Sequence, residues 1–100
     1  MVVIERMIQE VFPGKWDALA EIDKKFDVVE KRHGFPAANR MQSIIGACDM
    51  NTNVIVREWA SMAAMEAAYE SVFTDSEHQA LLTETASIIK NSRIELYSPR

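Results

Sequence analysis

The alternation of apolar and polar residues along the chain predicts four strands and three helices. Alternating residues are typical of strands, and they occur at 2–11, 40–50, 53–59 and 92–97. Apolar residues at helical spacing, or a helix-capping signal, predict helices at 15–33, for about three turns after Ser61, and at 75–90. Helices between strands in this order fold back onto one face of an antiparallel sheet. The pattern predicts an α+β, ferredoxin-like plait, βαββαβ with its second helix broken in two, as a single domain over 1–100.

Local signals refine the ends of these elements. Gly34 is expected to terminate the first helix, and Gly46 marks a bulge or bend in the second strand. The segment 51–53 has the composition of a tight turn, which predicts a hairpin between the second and third strands. Ser61 is a candidate N-cap, and Thr74–Glu77 matches a capping box with its threonine as the cap.

The third strand carries mixed side chains on one of its faces. Val54 and Val56 point one way, whereas Ile55, Arg57 and Trp59 point the other. We expect the valine side to pack under the helices. The side with Arg57 and Trp59 would then look away from the helices.

Composition and charge exclude several classes of function. A net charge of −4 argues against a nucleic-acid partner. No apolar run approaches the roughly 20 residues of a membrane span, and Glu5 and Arg6 interrupt any signal-peptide core, so we expect a cytoplasmic protein. The single cysteine, Cys48, cannot form an internal disulfide or an iron–sulfur site, and no cofactor is predicted.

The two histidines and the serines predict little chemistry. His33 and His78 are far apart in sequence and have no carboxylates at ligand spacing, so no metal site is predicted. His33 suits the C-terminal end of a helix dipole. His78 is either a general base near a cavity mouth or a partly exposed residue of the capping turn. Ser43 and Ser71 have no base at a readable spacing, so nucleophilic catalysis is not predicted.

Three stretches resemble those of the dimeric α/β-barrel superfamily, and within it NIPSNAP-like proteins. The first is IERMIQEVFPGKWDAL, a charged strand followed by Pro-Gly-Lys and an aromatic helix start. The second is VREWASMAAMEAAYE, a strand that ends in Trp and continues into an Ala-rich helix. The third is FTDSEHQAL, which is similar to the aspartate-containing link into the last helix of that family.

The resemblance implies a homodimer in which two sheets pack face to face around a central barrel with one cavity per subunit. The side of the third strand with Arg57 would face this cavity, and Glu5 or Glu95 could neutralise the guanidinium. The pair could orient an acid or amide ligand, or it could be a structural ion pair at the dimer seam. The candidate cavity residues are Glu5, Met7, Gln9, Arg57, Trp59, His78, Glu95 and Tyr97.

Three functions are compatible with this plan. The first is binding of a small apolar or aromatic molecule in the barrel cavity. The second is a cofactor-independent monooxygenase or isomerase of the antibiotic-biosynthesis type, for which Trp59 could be the required Trp, although the first strand lacks the Asn of that set. The third is a module for higher-order assembly, natural or engineered, through an apolar helix surface formed by Met62, Ala63, Met65 and Ala67.

Overall fold

The computed structural model describes residues 1–100 and contains four strands and three helices in the predicted order. The elements are β1 (Val3–Val11), α1 (Trp16–Arg32), β2 (Asn39–Gln42), β3 (Thr52–Trp59), α2 (Met62–Phe73), α3 (Ser76–Thr85) and β4 (Ile89–Tyr97). The strands form one antiparallel sheet in the order β2-β3-β1-β4. The predicted ferredoxin-like plait, with its second helix in two parts, is therefore confirmed.

The core lies between the helices and one face of the sheet. Residues from β1, α1, α2, α3, β3 and two connecting segments form a single buried cluster, which consists of Val3, Val11, Leu19, Ile22, Val29, Phe35, Trp59, Met65, Ala68, Val72, Leu81 and Ile88. The other face of the sheet, which we call the outer face, has no helix over it. The plait therefore has one closed and one open side.

The prediction for the two faces of β3 is wrong. Arg57 and Trp59 are each 3% exposed and lie beneath the helices, where Trp59 belongs to the core cluster. Val54 and Val56 lie on the outer face, opposite Ile8 and Arg6 of β1, and stay partly exposed. A mixed strand face can be buried when its polar groups find partners there, and these partners are described below.

The second strand is much shorter than predicted, and the proposed turn at 51–53 is wrong. β2 ends at Gln42, and residues 43–51 form a loop in which Gly46 has a φ of 149°. Thr52 and Asn53 already pair with β1. The turn forms earlier, because the Asp49 carboxylate accepts hydrogen bonds from the backbone N–H of Asn51 (2.9 Å) and the hydroxyl of Thr52 (3.4 Å).

The helix caps were predicted with mixed success. Ser61 caps α2 by accepting a hydrogen bond from the N–H of Ala64 (3.0 Å), as expected. The cap of α3 is Asp75 and not Thr74, because Asp75 accepts the N–H of Glu77 (2.9 Å) while the Thr74 hydroxyl donates to the carbonyl of Ser71.

The last helix and the last strand meet earlier in the chain than predicted. α3 ends at Thr85 instead of continuing to 90, and β4 begins at Ile89 instead of 92. Val11 pairs with Ile89 and Glu10 with Asn91. Residues 89–91, which the local pattern assigned to the helix and the following turn, therefore belong to β4.

Two methionines on α2 provide a direct test of the packing. Met65 is 8% exposed and belongs to the core, whereas Met62, one turn earlier, is 40% exposed. We expect Met65→Ala to lower the free energy of unfolding by about 2–5 kcal/mol because it opens a cavity. Met62→Ala should change it by less than about 0.5 kcal/mol. Urea denaturation measures both, and similar losses would contradict the placement of α2.

Candidate functional site

A buried ion network joins the sheet to the first helix. One guanidinium nitrogen of Arg57, Nη2, donates to both carboxylate oxygens of Glu30 at 3.0 Å. The other, Nη1, lies 3.5 Å from Oε1 of Glu5, which is 1% exposed. Glu5 comes from β1, Glu30 from α1 and Arg57 from β3. Charges this deeply buried persist only when they are paired, so the three side chains must be regarded as one unit.

Two aromatic residues complete the partners of Glu5. The indole Nε1–H of Trp59 donates to Glu5 Oε1 at 3.0 Å, and the hydroxyl of Tyr69 on α2 donates to Glu5 Oε2. Burial raises the pKa of Tyr69, and the hydrogen bond to the Glu5 carboxylate adds to that shift. Tyr69 therefore remains a hydrogen-bond donor, and the network links β1, β3, α1 and α2.

Phe35 closes the network from the segment between α1 and β2. The guanidinium carbon of Arg57 lies 5.4 Å from the centre of its ring. The ring also meets Trp59 and Tyr69 edge-on, with centroids 5.0 and 4.9 Å apart. Phe35 thus covers the guanidinium of Arg57 with an apolar surface.

The charge within the network is not balanced. Two carboxylates face one guanidinium, and burial raises the pKa of Glu30 even though the Arg57 charge opposes the shift. A groove of about 350 Å³ beside Glu30 and Phe35 leads to solvent. The remaining residues that line it are Asp27, Lys31, Pro36, Ala37 and Ala38. The side chains of Glu5, Glu30 and Arg57 form their hydrogen bonds and ion pairs with other members of the network. The network therefore has a structural role.

The predicted site residues divide into two groups. Glu5, Met7, Gln9, Arg57 and Trp59 share one face of the sheet, as the register of β1 with β3 requires, but this face meets the helices. Their prediction as residues of a barrel cavity on the open side is therefore wrong. The reason is that Glu30 and Glu5 neutralise the Arg57 charge beneath the helices.

Glu95 and Tyr97 lie on the outer face, away from the first group. Glu95 pairs with Arg6, whose Nη2 is 3.1 Å from Glu95 Oε1, and Tyr97 donates to the same carboxylate at 2.6 Å. The prediction that Glu95 could neutralise Arg57 is wrong, because the two side chains stand on opposite faces of the sheet.

His78 is a core residue and not a partly exposed residue of the capping turn. Its ring lies edge-on between Phe26 of α1 and Phe73 of α2, with both centroids 5.6 Å away. Burial lowers the pKa of His78; the Asp75 charge opposes the shift and His33 adds to it. Its Nδ1 has no hydrogen-bond partner. Because the ring lies between two aromatic side chains, His78 does not stand at the mouth of a cavity, as a general base would.

The sequence interpretation missed Glu30, Tyr69 and Phe35. Glu30 follows the buried Val29 and stands four residues after Phe26, so its spacing put it on the apolar stripe of α1. Tyr69 stands four residues after the buried Met65 in the same way. A charged residue at a stripe position is a usable signal for a buried partner, whereas Phe35 sits between helix and strand and had no periodic signal.

The outer face carries the second candidate site, an apolar groove of about 520 Å³. The loop 43–51 curls over the edge of the sheet there and forms one wall. The lining residues are Arg6, Ile8, Met41, Gln42, Ser43, Ile45, Gly46, Ala47, Cys48, Val54 and Val56. Within the loop, Ile44 and Ile45 are 81% and 94% exposed. So much uncovered aliphatic surface is typical of a contact or binding site.

The surface of α2 is less apolar than predicted. Met62, Ala63 and Ala67 are exposed, but Met65 is buried, so its assignment to an assembly surface is wrong. The helical period turns Met65 toward the sheet together with Ala68 and Val72. No helix in the structure has the length and apolar character that crossing a membrane requires.

The fold is that of NIPSNAP proteins. No protein-family model and no curated protein matches the chain. Among solved structures, a NIPSNAP family protein from Agrobacterium tumefaciens matches with a TM-score of 0.87 and 14% identity over 100% of this chain and 94% of that chain. An uncharacterised NIPSNAP-like domain protein from Burkholderia xenovorans gives 0.82 and 12% over 99% and 85%. The resemblance expected from the sequence is confirmed at the level of the fold.

A more distant match has a described activity. SnoaB, a cofactor-independent oxygenase from Streptomyces nogalater, gives a TM-score of 0.69 and 14% identity over 99% of this chain and 92% of that chain. At such identities the likeness to these structures establishes a common fold and carries no residue of one site to the other.

Replacing Arg57 tests the buried network. Arg57→Met keeps much of the side-chain length and leaves Glu5 and Glu30 as two buried carboxylates without their cation. We expect a loss of about 3–5 kcal/mol in the free energy of unfolding, the usual effect of removing one partner of a buried ion pair. Adding Glu30→Gln should restore part of this loss, because one unpaired charge is removed. Urea denaturation of the single and double variants measures both effects.

Arg40 provides the matched control. It binds Asp23 (3.4 Å) and Asp27 (2.9 Å) at the partly exposed edge of the same sheet. Arg40→Met should cost about 1 kcal/mol, as is usual for ion pairs near solvent. Equal losses for Arg40→Met and Arg57→Met would contradict the buried network.

The buried His78 predicts a pH dependence of stability. Because its pKa is lowered in the folded protein, unfolding takes up a proton as the pH falls. Its contribution to stability is complete above the unfolded value of about 6.5 and is lost as the pH falls below it. Between about pH 7.5 and about pH 5.5, the unaltered chain should lose more stability than His78→Leu in urea denaturation. An identical pH dependence of the two proteins would show that His78 is not buried as described.

Proposed function

We propose that this protein is a homodimer that binds a small apolar or aromatic molecule between the outer faces of its two sheets. The observation that carries the proposal is the outer face itself. It is a four-stranded surface with an apolar groove, and no helix covers it. A second copy packed on this face would convert two open grooves into an enclosed cavity.

The residues of the outer face fit this role. Ile8, Val54 and Val56 form an aliphatic floor across β1 and β3, and Met41 extends it onto β2. Met41 is half exposed. Burying such a surface stabilises an interface by roughly 25 cal/mol per Å² of apolar area before the costs of association are subtracted.

The ligand class follows from the polar part of the same face. Arg6 lines the groove and is paired with Glu95, and its guanidinium lies 5.9 Å from the centre of the Tyr97 ring. An aliphatic floor with one cation at its border suits a flat aromatic molecule that carries a single acidic or hydroxyl group. This assignment replaces the earlier expectation that Arg57 and Trp59 would contact the ligand.

The two other functions stay predictions. An oxygenase site at Trp59 would need access to its indole, which is enclosed by Phe35, Tyr69 and Glu5 in the structure. Assembly through α2 would rest on Met62 and small alanines, since Met65 is buried. Neither has an observation comparable to the apolar outer face.

A pair of valine substitutions tests the dimer. Val56 is on the outer face, whereas Val28 is exposed on α1. In the proposed dimer Val56→Lys places a charge in the interface, so we expect the dissociation constant to rise at least a hundredfold. Val28→Lys should leave the dimer, and therefore the molar mass measured in solution, as it is in the unaltered protein. Light scattering over a micromolar concentration series measures both, and a monomeric unaltered protein would refute the dimer.

The cavity is tested separately with a probe of the proposed chemistry. Anilinonaphthalene sulfonate combines a flat aromatic body with one anionic group, and its fluorescence rises in apolar surroundings. We expect saturable binding to the unaltered protein and to Val28→Lys, with loss of binding in Val56→Lys. Binding that survives Val56→Lys at full strength would show that the ligand site lies elsewhere.

A further inference from the structure

Three side chains meet where the ends of the three helices come together. His33 follows α1, Ser71 lies in the last turn of α2, and Asp75 caps α3. His33 Nδ1 is 2.7 Å from Ser71 Oγ, and His33 Nε2 is 2.7 Å from Asp75 Oδ2. Sequence spacing alone did not indicate this contact, because His33 and Ser71 are 38 positions apart in the chain.

Asp75 fixes the orientation of the imidazole. The hydrogen bond with His33 holds the pKa of Asp75 below its usual value, and the backbone N–H groups of Glu77 and His78 act in the same direction. Arg32 Nη2 also lies 3.7 Å from Asp75 Oδ2. An ionised carboxylate accepts the Nε2–H of His33. The lone pair on Nδ1 is then directed at the Ser71 hydroxyl.

The order of groups is that of an activated nucleophile. A serine hydroxyl, a histidine base and an orienting carboxylate are recognised by their geometry and roles, whichever fold supplies them. Ser71 is exposed, so its oxygen can meet a reactant from solvent, whereas the side chains of His33 and Asp75 are mostly buried. This combination leaves the nucleophile accessible and keeps the base and its carboxylate in fixed positions.

We propose that Ser71, His33 and Asp75 form a hydrolytic site for small carboxylic esters. Ser71 Oγ attacks the acyl carbon while its proton passes to His33 Nδ1. The ester C–O bond then breaks, and the leaving alcohol takes that proton. A water molecule, deprotonated by His33, then attacks the acyl carbon of the acyl-serine. The bond between that carbon and Ser71 Oγ breaks, Ser71 Oγ takes the proton back from His33, and the carboxylic acid is released. One ester and one water give one acid and one alcohol, with no other reactant.

The exposure of Ser71 sets the class of substrate. A nucleophile at the surface makes few contacts with the rest of a substrate, so the site should favour unhindered acyl groups with good leaving groups. The site lies at the helix ends. It therefore depends neither on the outer face nor on the dimer.

The test combines ester hydrolysis with covalent labelling. The unaltered protein should release p-nitrophenol from p-nitrophenyl acetate, and Ser71→Ala and His33→Gln should each lower this rate at least tenfold, within the usual contribution of a general base. Ser87→Ala is the matched control, because Ser87 is also exposed but its hydroxyl bonds only to the carbonyl of Glu84. It should leave the rate unchanged. A fluorophosphonate probe should modify Ser71, as identified by peptide mass spectrometry.

The labelling distinguishes a catalytic role of these three residues from a purely structural one, in which their hydrogen bonds only hold the helix ends together. If the proposal holds, Ser71 is phosphonylated in the unaltered protein and in Ser87→Ala, and the label is lost in His33→Gln at a temperature where thermal melting shows that variant to be folded. An unmodified Ser71 overturns the proposal. So does labelling that persists in folded His33→Gln, or a hydrolysis rate that Ser71→Ala does not change.

Discussion

The buried guanidinium of Arg57 determines how the sheet and the helices fit together. It is held by Glu30 from α1 and Glu5 from β1, and Phe35 lies against it. A charge in this position is tolerated only while its partners stay in place, so the three elements cannot shift independently. The same network gives Trp59 and Tyr69 their polar partner in the core. The closed side of the plait is therefore organised around a polar centre within an apolar shell.

The polar centre explains the character of the open side. Since β3 turns Arg57 toward the helices, the strand period leaves Val54 and Val56 on the outer face. There they meet Ile8, and the loop 43–51 adds Ile45. An exposed aliphatic surface is thus a direct consequence of a buried ion network on the opposite side of the same strand.

The parts of the fold that depend on neighbouring residues could be predicted from the sequence. The order of elements, the apolar stripe of α1 and the Ser61 cap follow from local spacing and local hydrogen bonds. The face of β3 could not be predicted in this way. Its two sides are similar in hydrophobicity, and the side that is buried is decided by Glu30, a residue 27 positions away.

The candidate sites show the same limit. Glu5, Arg57 and Trp59 lie together, because the strand period and the pairing of β1 with β3 bring them to one face of the sheet. Their burial beneath the helices could not be predicted, because it depends on contacts with helix residues that are distant in sequence. The contact of His33 with Ser71 and Asp75 likewise arises only when three helix ends converge.

The central position of β1 has a consequence for the order in which the sheet can form. Its two neighbours, β3 and β4, are Thr52–Trp59 and Ile89–Tyr97, so none of its ladder partners is close in sequence. During synthesis β1 is made before β3 and β4, so it cannot form its ladder hydrogen bonds until both have been synthesised. Sheets dominated by such distant pairings fold slowly. Until those partners are available, the apolar side chains of β1 are exposed, and apolar surface exposed in this way promotes aggregation.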